Sequence, residues 1–368
     1  MRWTSFAILS GLLALGASPA LAQARLVVLE GGPARGPVQA RLGEAVRVGV
    51  RIGREALPAG SRVEWLRVVP RLQHVELEPQ NEGDRTYSNA VLGGERHGRW
   101  IGHDELEYTT EPLAGRGVHG EGAELRLEGA PAPPSRAETT PRRSAPLAGT
   151  IWLAARVTLP DGRIVATPGA PGEGAEGPEP PERDRDRLGL RERVLRVSFR
   201  TGDGFLGWLS SYFDVPYVFG STPPQSERYT GIDCADVLVG ARRRETGRRL
   251  RYTSVQGIER LARAVSDPLR IGRDGVVRDG EGEPVELRWG EDVRAGDMLA
   301  IDYAADEEGL LPRAWDHIGA LLADRSEAGP PDGVLDGQDL LRHMSRRGLT
   351  DEPLWRHGPI RIRVWRWR

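Results

Sequence analysis

Between Arg25 and Arg200 the apolar residues recur at alternate positions in short runs, each closed by Gly or Pro. Arg25–Leu29, Ala45–Val50, Val63–Val69, Ala123–Leu127, Gly149–Leu159 and Val194–Phe199 all follow this pattern. A period of two puts every second side chain on one face, as a half-buried strand requires. Pro160-Asp161-Gly162-Arg163 supplies turn chemistry between two such runs. Short strands without long helical periods predict an all-β domain over residues 23–200, and an immunoglobulin-like sandwich is the form expected for it. Two Pro-, Gly- and charge-rich stretches, 130–147 and 168–187, are read as flexible loops, since they offer little apolar area to offset ordering.

Residues 1–22 read as a secretory signal peptide. Arg2 is basic, Phe6 to Leu15 is apolar, and Ala20-Leu21-Ala22 is a small-x-small cleavage signal. No later stretch approaches the roughly 18 apolar residues of a membrane span. The expectation is an exported protein, periplasmic or secreted, with no transmembrane segment. The 51 basic and 53 acidic residues are interleaved and leave a net charge of −2. That balance excludes general electrostatic attraction to nucleic acid. One cysteine in 368 residues cannot form an internal disulfide.

From Gly204 the pattern changes. Phe205–Phe213, the segment opened by Cys234, and Thr253–Val265 have helical spacing, with Asp267-Pro268 as a stop. A Gly-rich, charged insertion occupies the region near 272–284. Asp292–Ile301, Trp315–Leu322 and Ile360–Trp365 read as strands. Helices first and strands after predict an α+β domain over 204–368. Cys234 lies at a helix start, where the dipole and unpaired N–H groups favour a thiolate, so it is the candidate nucleophile. Such a nucleophile needs a base and a group to orient that base, and His317, His343 and His357 are the histidines available in this half. His97, His103, Asp104 and Glu105 match no metal-site spacing, and His74 and His119 are isolated; no metal or cofactor is implied.

Four motifs occur in a fixed order: Tyr217-x-Phe219-Gly220, Asp233-Cys234, Gly296-Asp297-Met298-Leu299 and His317-Ile318-Gly319-Ala320. Together they resemble the NlpC/P60 cysteine peptidases, whose papain-like domain cleaves amide bonds in the cell wall. The Thr253-Ser254-x-Gln256 segment is similar to the region that follows the nucleophile helix in that family. The resemblance implies a papain-like α+β fold, Cys234 as nucleophile and His317 as general base. It implies His343 as the third catalytic residue, with Gln338 and Asp339 as alternatives. Tyr217, Asp233 and Asp236 would contact substrate; the alternative for Asp233 is helix capping alone, and for Asp236 it is complementing the dipole while raising the thiol pKa as a like charge. The chain departs from the family pattern at Ala235-Asp236, where Ser-Gly is usual, and at Ser221, where a second Gly is usual.

The implied partner is peptidoglycan or another peptide or amide substrate, with the β-rich domain as a contact for an envelope protein. Two alternatives stand beside hydrolysis. One is an inactive papain-like binding module of the envelope, and the other is a Cys–His acyltransferase or deamidase.

Overall fold

The computed structural model describes residues 24–29, 37–72, 106–133, 143–173, 179–186, 189–191, 193–303, 315–325, 330–345 and 347–368. The expected signal peptide and His74, His97, His103, Asp104 and Glu105 lie outside these residues. His119 is exposed on a strand. No described helix is long and apolar enough to cross a membrane.

The described residues of the first half form twelve strands. They are β1 (Ala24–Val28), β2 (Val38–Arg41), β3 (Val46–Ile52), β4 (Arg62–Leu72), β5 (Leu106–Pro112) and β6 (Val118–Glu121). Then come β7 (Glu124–Leu127), β8 (Gly149–Thr158), β9 (Ile164–Ala166), β10 (Arg185–Asp186), β11 (Gly189–Leu190) and β12 (Leu195–Arg200). One sheet has the order β1-β3-β7-β6, and a second has the order β2-β12-β8-β4-β5 with β9 on β8. The two face each other: Val46, Val48 and Val50 of the first share a core with Ile151, Leu153, Ala155, Val157, Val197 and Phe199 of the second. Alternation along β3 and β8 points these residues inward, which is sandwich packing.

The second half begins with α1 (Phe205–Ser210), α2 (Pro223–Glu227), α3 (Cys234–Thr246) and α4 (Val255–Ile258). Strands β13 (Ala262–Ala264), β14 (Leu269–Ile271), β15 (Val277–Arg278), β16 (Met298–Asp302), β17 (His317–Ala323), β18 (Leu340–Ser345), β19 (Gly348–Pro353) and β20 (Ile360–Trp367) follow. They form one eight-stranded antiparallel sheet, β15-β14-β20-β16-β17-β18-β19 with β13 also on β20. Both faces are buried. Met298, Ala300, Ile318, Ala320, Met344 and Trp365 pack with the apolar residues of α1 and α3. Leu299, Ile301, Leu321, Leu341, Ile362 and Val364 pack on the opposite side with Leu269, Ile271 and Leu335.

This architecture corrects the expected papain-like α+β domain. The described residues are β-rich, built on three sheets and a two-stranded ribbon, and do not fit a domain with a large helical part. Among the described residues α3, at 13 residues, is the one α-helix longer than six. The segment from Thr253 to Val265 shows why. Its helix stops after one turn at Ile258, and Ala262–Ala264 leave the helical path to pair with Trp365–Trp367. Local apolar spacing is a weak prior that an available strand edge overrides.

The flanks of the two Pro-rich stretches are built into the body. Ala130 N–H donates to Leu147 O at 2.8 Å, and the Asp184 carboxylate, fully buried, accepts from Gly169 N–H at 3.0 Å. Just past the first stretch the two halves are clasped together. Thr150 N–H donates to Phe213 O at 2.8 Å, and Arg143 pairs with Asp214. Arg342 donates to Asp351 through Nε (2.6 Å) and Nη2 (2.8 Å), while Ser144 contributes its hydroxyl to Arg342 and its N–H to Asp351. Arg342 and Asp351 are both almost fully buried. Removing one partner strands the other charge, so Asp351→Ala is expected to lower unfolding free energy by about 3–5 kcal/mol. Urea denaturation measures this, and a loss below about 1 kcal/mol would show that the clasp contributes little.

Candidate functional site

The site forms where the N-terminus of α3 meets the start of β17. Helix α3 is well delimited. Asp233 is its N-cap, accepting from Ala235 N–H (3.1 Å) and Asp236 N–H (2.8 Å), and Gly247 ends it in the left-handed region at φ 67°. The other Asp233 oxygen accepts from Gly220 N–H at 3.0 Å, tying the Tyr217–Gly220 strip to the helix start. That strip also runs beside Ile232: Val218 N–H donates to Ile232 O, and Ile232 N–H donates to Pro216 O, both at 3.1 Å. Tyr217 is half-buried and packs against the same core as Cys234.

Cys234 is 7 % exposed, and its thiol lies close enough to the backbone N–H of Ile318, the residue after His317, for that group to favour the thiolate. Gln256 reaches from α4 to donate to Trp315 O at 3.1 Å, holding the chain that leads into His317. His317 Nε2 lies 2.7 Å from His343 Nδ1, and His343 Nε2 lies 2.7 Å from Glu352 Oε1. Strand register explains this line of contacts. Gly319 stands directly opposite His343, and a Cβ there would fall 2.8 Å from the His343 Cβ. Glycine at this point gives the second imidazole room to reach the first.

Tyr303 and His357 complete the cluster. The Tyr303 ring stacks on His317, with centroids 6.2 Å apart and planes at 26°. Its hydroxyl is 3.3 Å from His357 Nδ1; burial raises the phenol's pKa, and the nearby Cys234 raises it further. His357 ends the short 3-10 turn Leu354–His357, which follows β19.

Of the residues named from the sequence, the structure brings His317 and His343 into contact and places Cys234 beside the backbone of Ile318. Asp233 and Asp236 both have partners within the protein. Asp233 is occupied by backbone N–H groups, and buried Asp236 accepts from the Ser221 hydroxyl at 2.8 Å. Both belong to the scaffold of the helix start. Asp339 is engaged elsewhere, accepting from Trp289 Nε1 at 2.8 Å and Arg325 N–H at 3.0 Å. Gln338 is tied to the same turn, donating its N–H to Asp336 Oδ1 at 2.6 Å.

Glu352, Tyr303 and His357 were not read as site residues. A signal for Glu352 existed in the β18–β19 hairpin, where pairing of Ser345 with Gly348 fixes Leu341 opposite Glu352. Glu352 thus lies diagonal to His343, within reach of a long side chain.

Protonation also differs from the sequence expectation. Burial pushes the Cys234 thiol pKa up, and the neighbouring Asp233 and Asp236 carboxyls push it further; the Ile318 and Ala235 N–H groups act the other way. The helix-terminus effect, worth about 0.3–1 kcal/mol, is smaller than the cost of burying a thiolate. His317 is held well below the usual imidazole range by burial, then by His343 and His357. Burial raises Asp233 to about 6, and Asp236 is raised well above the ordinary carboxylate range by burial and by Asp233. The resting pair is a neutral thiol and a neutral imidazole.

Because only the thiolate is nucleophilic, alkylation of Cys234 by iodoacetamide should climb about tenfold per pH unit and not level off below pH 9. A plateau reached between pH 5 and 7 would instead show a resting ion pair. A scan against protein-family models finds no match to this chain, a search of curated proteins finds no similar protein, and a search of solved structures finds no similar fold.

Proposed function

We propose that this chain is an exported thiol hydrolase that cleaves amide bonds, with peptidoglycan stem peptides as its substrate class. The observation that carries this reading is the contact series from Cys234, at the mouth of α3, through the His317 segment to His343 and Glu352. A nucleophile, a base and a group that orients the base are the three parts such chemistry needs. The order of motifs shared with the NlpC/P60 peptidases supports the substrate class; the reading rests on those motifs and not on a papain-like fold.

In the proposed mechanism a bound amide carbonyl sits over the thiol. His317 takes the thiol proton as sulfur attacks the carbonyl, and the Cys234 N–H holds the developing oxyanion. His317 then gives the proton to the leaving amine, and water releases the acyl group. His343 and Glu352 orient His317 and stabilise its charged form during the transfer. Starting from neutral partners keeps the thiol inert until substrate displaces water and brings the carbonyl into reach.

Digestion of purified peptidoglycan sacculi, read by mass spectrometry, tests the reading. Wild-type protein is expected to release stem-peptide fragments, Cys234→Ala none, and His317→Ala about 10²–10⁴-fold fewer per unit time. Equal silence from wild type and Cys234→Ala would overturn the cell-wall assignment and favour a binding role for the site.

A further inference from the structure

His343, Glu352 and His357 are brought together from two strands and a 3-10 turn, with one ligand atom from each lying within 4.8 Å of the others. Two features set this group apart from ordinary polar packing. The His357 side chain is 7 % exposed, and its Nε2 has no hydrogen-bond partner among the described residues. That atom points at Glu352 Oε1 from 3.6 Å, too far for a hydrogen bond. Two ligands on one tetrahedral zinc, each about 2.0–2.2 Å from the ion, stand about 3.3–3.5 Å apart. The His357–Glu352 spacing already matches. The 2.7 Å His343–Glu352 hydrogen bond would open by about 0.7 Å as the ion replaces its proton. Glu352 is 27 % exposed, which gives a cation a way in from solvent.

We propose that His343 Nε2, Glu352 and His357 Nε2 form a zinc site that switches the thiol hydrolase off by changing the tautomer of His317. The switching role rests on the hydrolase reading given above. Without metal, ionised Glu352 can only accept, so His343 carries its proton on Nε2 and has a lone pair on Nδ1. That lone pair accepts from His317 Nε2–H across 2.7 Å, which leaves the lone pair of neutral His317 on Nδ1. With Nε2 engaged by His343, Nδ1 is the ring nitrogen left to take the thiol proton, so in the hydrolase reading this tautomer is the base.

Zinc on His343 Nε2 reverses the direction of donation. His343 must then hold its proton on Nδ1 and donate to His317 Nε2, and neutral His317 carries its own proton on Nδ1. In that form it has no lone pair to offer the thiol. The balance is closed: the His343 Nε2 proton leaves to solvent, the His317 Nε2 proton passes to His343 Nδ1, and one solvent proton joins His317 Nδ1. Tyr303, whose hydroxyl faces His357 Nδ1 at 3.3 Å, would accept from that nitrogen and orient His357 toward the ion.

Calorimetric titration of the full chain with zinc chloride, together with nitrogen–proton spectra of labelled histidine rings, tests this. One zinc is expected to bind wild type and Cys234→Ser alike, and at least about tenfold more weakly to His357→Gln and Glu352→Gln. The His317 ring proton should move from Nε2 to Nδ1 on saturation, and peptidoglycan cleavage should stop. Backbone amide spectra check that each variant is folded, and the two variants guard against one that is not. Loss of zinc binding in Cys234→Ser, indifference to both ligand substitutions, or a His317 proton that stays on Nε2 would overturn the proposal. Binding and tautomer are read without turnover. A zinc-loaded tautomer shift in a protein that never cleaves sacculi would sink the hydrolase reading alone, and cleavage unaffected by bound zinc would sink the switch alone.

Discussion

The site depends on the antiparallel pairing of β17 with β18 at the point where Gly319 faces His343. A side chain at 319 would wedge the strands apart or turn the imidazole away, and the 2.7 Å contact with His317 would be lost. Everything else in the cluster follows from that contact. Helix α3 brings the thiol to the Ile318 N–H, the hairpin to β19 delivers Glu352, and the 3-10 turn after β19 delivers His357. The packing that holds this arrangement is apolar on both faces of the sheet, and the polar line crosses it from β17 through β18 to β19.

Burial gives the site its chemical character. A thiol and an imidazole taken out of water both resist charge, and here the acidic helix cap adds to that resistance for the thiol. The two effects favour the same uncharged resting state. In the proposed hydrolase, the cost of charging is met when a substrate carbonyl and a helix-start N–H are in place to receive it.

Much of the framework was legible in the amino-acid order. Val46, Val48 and Val50 alternate as a strand facing a core must, and Asp233 before Cys234 with Gly247 thirteen residues later brackets a helix by its caps. What escaped was set by partners distant in sequence. Ala262–Ala264 carry helical spacing, yet the open edge of β20 takes them as a strand, and with them goes the large helical part that the motif resemblance implied. Glu352 and His357 could not be assigned from spacing alone, because their place depends on hairpin register and on a turn of four residues. The thiol's state escaped for a related reason. A cap and a dipole are local and readable, whereas the burial that outweighs them is a property of the whole packed sheet.

Arg342 and His343 are adjacent on β18 and serve opposite sides of it. The arginine is locked to Asp351, to Ser144 and to Leu206 O, and so to the sandwich half of the chain; the histidine is locked to His317 and Glu352. Their Cα atoms are about 3.8 Å apart, and alternation sends the two side chains to opposite faces. One peptide unit thus joins the residue that ties β18 to Ser144 of the sandwich half and the residue that carries the imidazole of the site.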